Sequence, residues 1–268
     1  MTTTQTSTLR PLSLVTGASS GIGYEIARRL AEIGYDVIAT SSDREKLASA
    51  AEAVRQQGAG ANVEIVQADL RKPNGVQKLY DATRALGRPI DILVANAGIG
   101  VHGDFAAETS LDAEIALINL NVTSQVHLIK LIANDMVQRG SGDILITSSI
   151  ASILPGPRMA VYAASKAFLR SFGQAIREEL KDRNVNVTVL MPGPTETDFF
   201  ARADMNDTKV ARSAKQDPGE VAEAALKALS EGSGHIIPGL KNKVQAGLAK
   251  VMSDEARAKM HGAQTTRR

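Results

Sequence analysis

Apolar residues fall along this chain in short, nearly unbroken runs, separated by longer stretches with a period of three to four. The runs 12–16, 36–40, 63–68, 90–95, 143–147 and 185–190 read as strands, and His235-Ile236-Ile237 as a short seventh. Most do not alternate apolar with polar residues, so both faces are expected to be buried, as in a parallel sheet covered by helices. The intervening stretches 21–33, 43–57, 75–86, 111–138, 161–182 and 218–230 carry the helical period. Strand–helix alternation with right-handed crossovers predicts an α/β, doubly wound domain.

Residues 11–262 are expected to form that single domain, since no internal stretch rich in Pro, Gly and Ser divides them. Residues 1–10 and 263–268 read as loose polar tails. The segment 192–216 has no clear period, and a loop that long is usually functional. Within 241–260, Val244, Leu248, Val251 and Met252 share one helical face, which predicts a packing or subunit-contact helix.

Composition narrows the chemistry. The 268 residues are 43% hydrophobic and 22% charged, ordinary values for a globular chain. The 31 basic and 29 acidic residues nearly balance, and Arg267 with Arg268 accounts for the surplus. No electrostatic footprint for nucleic acid or an acidic membrane is therefore expected. Cysteine is absent, which excludes disulfides, thiolate metal sites and cysteine nucleophiles. The four histidines lie far apart, so no metal site is expected. No unbroken apolar run approaches a membrane span, and the polar start lacks a secretory pattern. The expected location is the cytoplasm.

Thr16-Gly17-Ala18-Ser19-Ser20-Gly21-Ile22-Gly23 joins the first strand to the first helix. Glycines there leave room for a pyrophosphate, and the helix N-terminus behind them offers free N–H groups and partial positive charge. The ordinary alternative is a tight turn with no ligand. After the second strand come Ser41, Ser42, Asp43 and Arg44. No acid stands at the strand's immediate end to chelate ribose hydroxyls, while the serines and Arg44 could accept a 2′-phosphate, which favours NADP(H) over NAD(H). Ser42-Asp43-Arg44-Glu45 equally fits a capping box.

Tyr162 and Lys166 stand one turn apart on one face of a predicted helix. A free phenol is a poor base at neutral pH, and a nearby ammonium favours its ionised form. The expectation is a tyrosine lowered towards neutrality that exchanges a proton with a substrate oxygen. Ser148 and Ser149 end the fifth strand, where open α/β sheets place their sites. A Ser149 hydroxyl there could hold the reacting oxygen beside the phenol. Asn121 falls inside the long helix, either as a plain polar residue or as a local distortion that keeps a water near Lys166.

TGASSGIG at 16–23, Asn96-Ala97-Gly98, Asn121, Ser149, YAASK at 162–166 and PGPTET at 192–197 together resemble the short-chain dehydrogenase/reductase family, from about Leu12 to Ile237. Within it, the chain is similar to the DltE-like bacterial oxidoreductases. The resemblance implies a Rossmann fold with a seven-stranded parallel sheet, and a tetrad of Asn121, Ser149, Tyr162 and Lys166. It implies dinucleotide contacts from Gly17, Ser19, Ser20, Gly21, Ile22 and Gly23. Ser41, Ser42, Arg44, Asp69, Leu70, Asn96, Ala97 and Gly98 would serve the adenosine side and the cleft. Tyr162, Lys166, Pro192, Gly193, Thr195 and Thr197 would serve the nicotinamide end. The activity implied is hydride transfer between NADP(H), or NAD(H), and a ketone, aldehyde or secondary alcohol, in a homodimer or homotetramer. Ser20 and Ser42 stand where many NADPH-preferring members carry basic residues. A dinucleotide-sensing protein without turnover is the alternative; a methyltransferase would leave Tyr162 and Lys166 without a task. Leu154, Pro155–Met159 and Phe199–Gln216, with Phe200, suggest an apolar substrate pocket.

Overall fold

The computed structural model describes residues 9–58, 60–249 and 251–267. One parallel sheet runs in the order β3-β2-β1-β4-β5-β6-β7, from β1 (Leu12–Thr16), β2 (Asp36–Ser41), β3 (Val63–Gln67), β4 (Ile92–Ala95), β5 (Gly142–Thr147), β6 (Val185–Leu190) and β7 (His235–Ile236). Between them lie α1 (Gly21–Glu32), α2 (Arg44–Gln57), α3 (Pro73–Ala85), α4 (Leu111–Ile118), α5 (Ser124–Arg139) and α6 (Ala160–Leu180). The rest are α7 (Phe199–Arg202), α8 (Lys209–Arg212), α9 (Pro218–Ser230), α10 (Leu240–Ala249) and α11 (Asp254–Thr265).

Successive strand residues enter two different cores, which is why the runs are not amphipathic. Val15, Val37, Val94 and Leu145 pack with Ile26, Leu47 and Ala222 of α1, α2 and α9. Leu14, Ile38, Leu93 and Ile144 pack with Leu79, Leu128, Ile132 and Leu169 of α3, α5 and α6. Fully burying each such side chain contributes roughly 1.5–3 kcal/mol. Strand order reverses between β1 and β4, which opens a crevice at the C-terminal edge of the sheet.

Leu111–Arg139 is long and apolar enough, by length and composition, to cross a membrane, which a search for unbroken runs passes over. Its second half packs on the sheet through Leu128, Ile129, Ile132 and Met136, while Leu111, Ile115 and Ile118 of the first half are exposed. The stretch is also not one regular helix. A π-helical turn, Asn119–Thr123, separates α4 from α5.

The expectations about 241–260 and the C-terminal tail are corrected, and the long loop has a defined structure. Segment 192–216 is ordered. Its neck is closed by Glu196 N–H donating to Gln216 O and Gln216 N–H donating to Pro194 O, both 2.9 Å. Phe200, Ala203, Met205 and Ala211 then fold back onto Leu117, Ala151 and Met159. Helices of one turn, α7 and α8, are too short to display a period.

The 241–260 segment is parts of two helices rather than one. The face of α10 that packs inward is Asn242, Ala246 and Ala249, while Val244, Leu248 and Val251 are exposed. A polar anchor decides this orientation: the Asn242 amide donates to Gln216 Oε1 at 2.7 Å and Pro238 O at 2.8 Å.

Residues 263–267 are not a loose tail. Helix α11 runs to Thr265, which is buried and donates its hydroxyl to Pro157 O at 2.9 Å, and Arg267 pairs with Asp204 and bridges to Thr208. Of the N-terminal tail, residues 1–8 lie outside the described residues; Arg10 donates to Gly34 O at 3.0 Å and Ala31 O at 3.1 Å.

Helix α6 carries Tyr162 and Lys166 and lies close against β6 at Gly173. A Cβ there would stand 2.5 Å from Val189 Cγ2. Gly173→Ala is expected to lower stability by about 1–3 kcal/mol through overpacking, outweighing the ~1 kcal/mol alanine gains as a helix former. Urea denaturation midpoints check this; a rise would show that the contact relaxes freely.

Candidate active site

The first turns of α6 place Tyr162 and Lys166 over the C-terminal end of β5. Both are buried, at 8% and 5% exposure. Lys166 Nζ donates to Thr147 O, the last carbonyl of β5, at 2.9 Å, and lies 5.8 Å from the Tyr162 ring centroid. Ser148 ties the strand to the helix, its hydroxyl donating to Lys166 O at 2.7 Å. Ser149 opens the following turn, where its Oγ accepts from Ala151 N–H at 3.1 Å.

The electrostatics differ from the expected pattern. Burial pushes the Tyr162 phenol up to about 12, and only the hydrogen bond with Ser149 works in the opposite direction. The expected fall towards neutrality is not what the protein's own groups produce. Burial also brings the Lys166 ammonium down to about 8, because a cation is costly to keep in so dry a place. The phenol is therefore a proton donor at neutral pH, and extra positive charge beside it would be needed to make it a base.

Asn121 sits in the π turn, fully buried. Its Oδ1 accepts from Ile99 N–H at 3.0 Å, while its Nδ2 donates to Ile99 O at 2.9 Å and Ser165 Oγ at 3.1 Å. The side chain thus pins the loop after β4 against α6. The distortion itself is present, and Leu120 O within it accepts from the hydroxyl of Ser124 at 2.6 Å and the amide of Gln125 at 3.3 Å. Gln125 also donates to Ala97 O at 2.8 Å, a positioning contact that no sequence signal exposed.

One cavity gathers most of the residues read from the sequence: Gly17, Ser20, Gly21, Ile22 and Gly23 of the glycine turn, Asn96 and Gly98, Ser149, Tyr162 and Lys166, and Pro192, Gly193, Thr195 and Thr197. The turn is shaped for close approach. Gly21 adopts φ +58°, and a Cβ on Gly23 would meet Gly17 O at 2.3 Å. Ser20 occupies the N-cap of α1 without a side-chain cap bond, so the first N–H groups of the helix stay available to an anion. These features fit a dinucleotide's pyrophosphate.

The remaining expected contacts are not in this cavity. Ser19 and Ser41 bond each other through their hydroxyls at 3.0 Å beside the end of β2. Asp43, not Ser42, caps α2, accepting from Lys46 N–H at 3.1 Å, and Arg44 follows as the first helical residue. Asp69 is held by Arg71 at 2.8 Å, which keeps its carboxyl below the usual range, and Leu70 is buried in the core. Ala97 is fixed by its N–H donating to Thr16 Oγ1 at 3.0 Å. Ser19 follows β1, and the others lie at or after the ends of β2, β3 and β4, outside the cavity.

Sequence reasoning missed four contributors. Arg202 of α7 donates to Ser20 Oγ at 2.6 Å and pairs with Asp198 at 3.1 Å, bringing a cation to the glycine turn from far along the chain. Gln245, His261 and Gln264 of α10 and α11 also line the cavity, which Leu154, Met159, Phe199 and Phe200 make largely apolar.

A family model for the short chain dehydrogenases matches residues 12–208. An uncharacterized oxidoreductase of Staphylococcus saprophyticus is 33% identical over 222 residues, covering 83% of this chain and 92% of its own. A ketoacyl reductase of a Nostoc strain is 32% identical, with coverage of 89% and 82%. Among solved structures, a short-chain dehydrogenase of Sphingobium yanoikuyae in complex with NADPH is 30% identical with TM-score 0.80, covering 91% of this chain and 96% of that one. The chain belongs to the short-chain dehydrogenase family. Its class is that of the NAD(P)-dependent oxidoreductases acting on small molecules.

The buried lysine has a measurable consequence. An unfolded lysine titrates near 10.5 and Lys166 near about 8, so the unfolded chain binds more protons between those values and stability rises with pH across that window. Below it the buried ammonium costs about 3 kcal/mol, partly offset by its bond to Thr147 O. Lys166→Met is expected to exceed the native chain in stability by about 1–2 kcal/mol near neutral pH, with the margin shrinking as pH rises. Urea denaturation at about pH 6.5 and about pH 9.5 checks both; a margin independent of pH would contradict burial as its cause.

Proposed function

We propose that the chain is an NADPH-dependent reductase of apolar ketones, with Tyr162 as the acid. The observation that carries this reading is the buried Tyr162 phenol over the end of β5, which shares one cavity with Ser149, Lys166 and the glycine turn. When bound, the reduced nicotinamide supplies hydride to the carbonyl carbon. Ser149 holds the carbonyl oxygen against the phenol, and Tyr162 gives its proton to that oxygen as the carbon becomes tetrahedral. Lys166 holds the nicotinamide ribose and places positive charge beside the phenolate that results. Asn121 fixes the loop that carries Ile99 to the wall of the cavity. Gly17 to Gly23 receive the pyrophosphate, and Pro192, Gly193, Thr195 and Thr197 the nicotinamide end. The reverse oxidation would use the same groups, with the cation of the oxidised cofactor favouring the phenolate.

The preference for NADP(H) is supported by three features. No carboxylate stands free at the end of β2, since Asp43 is spent on the cap of α2. The Ser19–Ser41 hydroxyl pair at the end of β2 and Arg44 at the start of α2 would supply donors to a 2′-phosphate. Arg202 adds positive charge at Ser20, the position from which a basic residue is missing. Related structures hold NADPH, NADP and, in a protein of Burkholderia phymatum, NAD. A homo-oligomer through α4 and α6 belongs to the reading, because Leu111, Ile115, Ile118 and Phe168 leave apolar surface exposed there. A cytoplasmic location belongs to it as well. A sensor without turnover would have no use for the buried Tyr162–Lys166 pair, whose charge burial costs stability.

Tyr162→Phe is expected to lower turnover of ketones by about 100- to 10,000-fold while cofactor affinity stays within a few-fold. NADPH consumption and cofactor fluorescence measure the two; retained turnover would remove Tyr162 from its role. NADPH is expected to bind the native chain at least about tenfold more tightly than NADH, the worth of one or two charge-assisted bonds to the 2′-phosphate. Fluorescence titration decides this, and tighter NADH binding would reverse the assignment.

A further inference from the structure

The cavity is apolar over most of its surface, yet one wall is not. Helices α10 and α11 contribute Gln245, His261, Gln264 and Thr265 to it, and none of these four is charged. Thr265 is already committed to Pro157 O. Among the described residues, the amides of Gln245 and Gln264 have no protein hydrogen-bond partner.

His261 is more sharply defined. It is 8% exposed, and its Nδ1 lies 3.1 Å from Pro155 O. A carbonyl oxygen only accepts, so Nδ1 carries the hydrogen. Burial lowers the His261 pKa below its ordinary value, which keeps the ring neutral at physiological pH. In the neutral ring with that tautomer, Nε2 is a bare acceptor. It has no protein partner among the described residues and is not sealed from the cavity. The rest of α11 is held rigidly enough to aim it: His102 Nε2 donates to Thr265 O at 2.7 Å, and Arg257 donates to Ile153 O at 3.2 Å.

We propose that this wall reads a second polar group on the substrate, an uncharged hydroxyl remote from the reacting carbonyl, which donates to His261 Nε2 and is flanked by the Gln245 and Gln264 amides. The substrate class is then an apolar ketone with a distant hydroxyl, rather than a ketone with an anionic end, since among the described residues no lysine or arginine of α10 or α11 lines the cavity to neutralise a carboxylate. The inference rests on the reductase reading, for which the reacting carbonyl lies at Tyr162 and Ser149. The distant hydroxyl is a specificity group and takes no part in bond making.

Matched ketones test it: 8-hydroxy-2-octanone, 8-methoxy-2-octanone, which can accept but not donate, and 7-oxooctanoate, each reduced with NADPH. For the native chain, kcat/KM is expected to favour the hydroxy ketone over its methyl ether by about tenfold, the effect of one neutral hydrogen bond left unmade. The carboxylate is expected to be the poorest of the three. In His261→Phe the ratio of hydroxy to methoxy ketone should collapse to about one, while His261→Gln, whose amide oxygen can reach a similar place, should keep part of it. Both variants lose the bond to Pro155, so their difference does not report on folding, and Gln264→Leu supplies a third, milder lowering of the ratio. Equal reduction of hydroxy and methoxy ketones by the native chain overturns the inference alone, as does a ratio unchanged in His261→Phe or a preference for the carboxylate. No reduction of any of the three by the native chain overturns the reductase reading beneath it as well.

Discussion

The ammonium of Lys166, bonded to the last carbonyl of β5 and closed off from water, is the interaction on which the site depends. A cation in that place is expensive, and everything around it limits the expense. Thr147 O accepts from it, and the Ser148 hydroxyl donates to Lys166 O in the same turn of the helix. The same dryness that lowers the lysine raises the tyrosine, so the two groups are driven towards their neutral forms together. A site poised in this way responds strongly to any charge brought into it. A positively charged nicotinamide would favour the phenolate, while a neutral one leaves the phenol ready to donate.

The sheet makes this arrangement possible through its order. Because strand order reverses between β1 and β4, the glycine turn after β1 and the serine turn after β5 open onto the same crevice. Helix α1 then presents free N–H groups to it, and α6 presents the phenol and the ammonium. The π turn at Asn119–Thr123 belongs to the same plan. Within it Asn121 bonds the backbone of Ile99, and Leu120 O accepts from the Ser124 hydroxyl.

Above the crevice the chain closes on itself from three directions. Segment 192–216 folds over the cavity and reaches the glycine turn through Arg202. Helix α10 is tied to the neck of that segment by Asn242, and α11 is seated on Pro155 and Pro157. The polar groups of α10 and α11 therefore face a space whose other walls are Leu154, Met159, Phe199 and Phe200. The polar residues of that wall, Gln245, His261, Gln264 and Thr265, lie beyond the stretch matched by the family model.

What could be read from the chain alone is what depends on local spacing. Buried strands show as unbroken apolar runs, the glycine turn by where Cβ atoms are missing, and Tyr162 with Lys166 by the pitch of a helix. Each of these is written within a few residues, so the sheet, the turn and the pairing of Tyr162 with Lys166 on one helix face were legible, with boundaries off by a residue or two. What only the folded structure decided involves partners far apart in sequence. Arg202 reaching Ser20, Gln125 holding Ala97, and His261 meeting Pro155 leave no periodic trace. The inward face of α10 was chosen by one asparagine against an apolar stripe. The ionisation of Tyr162 likewise followed from burial, a property of the whole packed domain, and not from its spacing to Lys166.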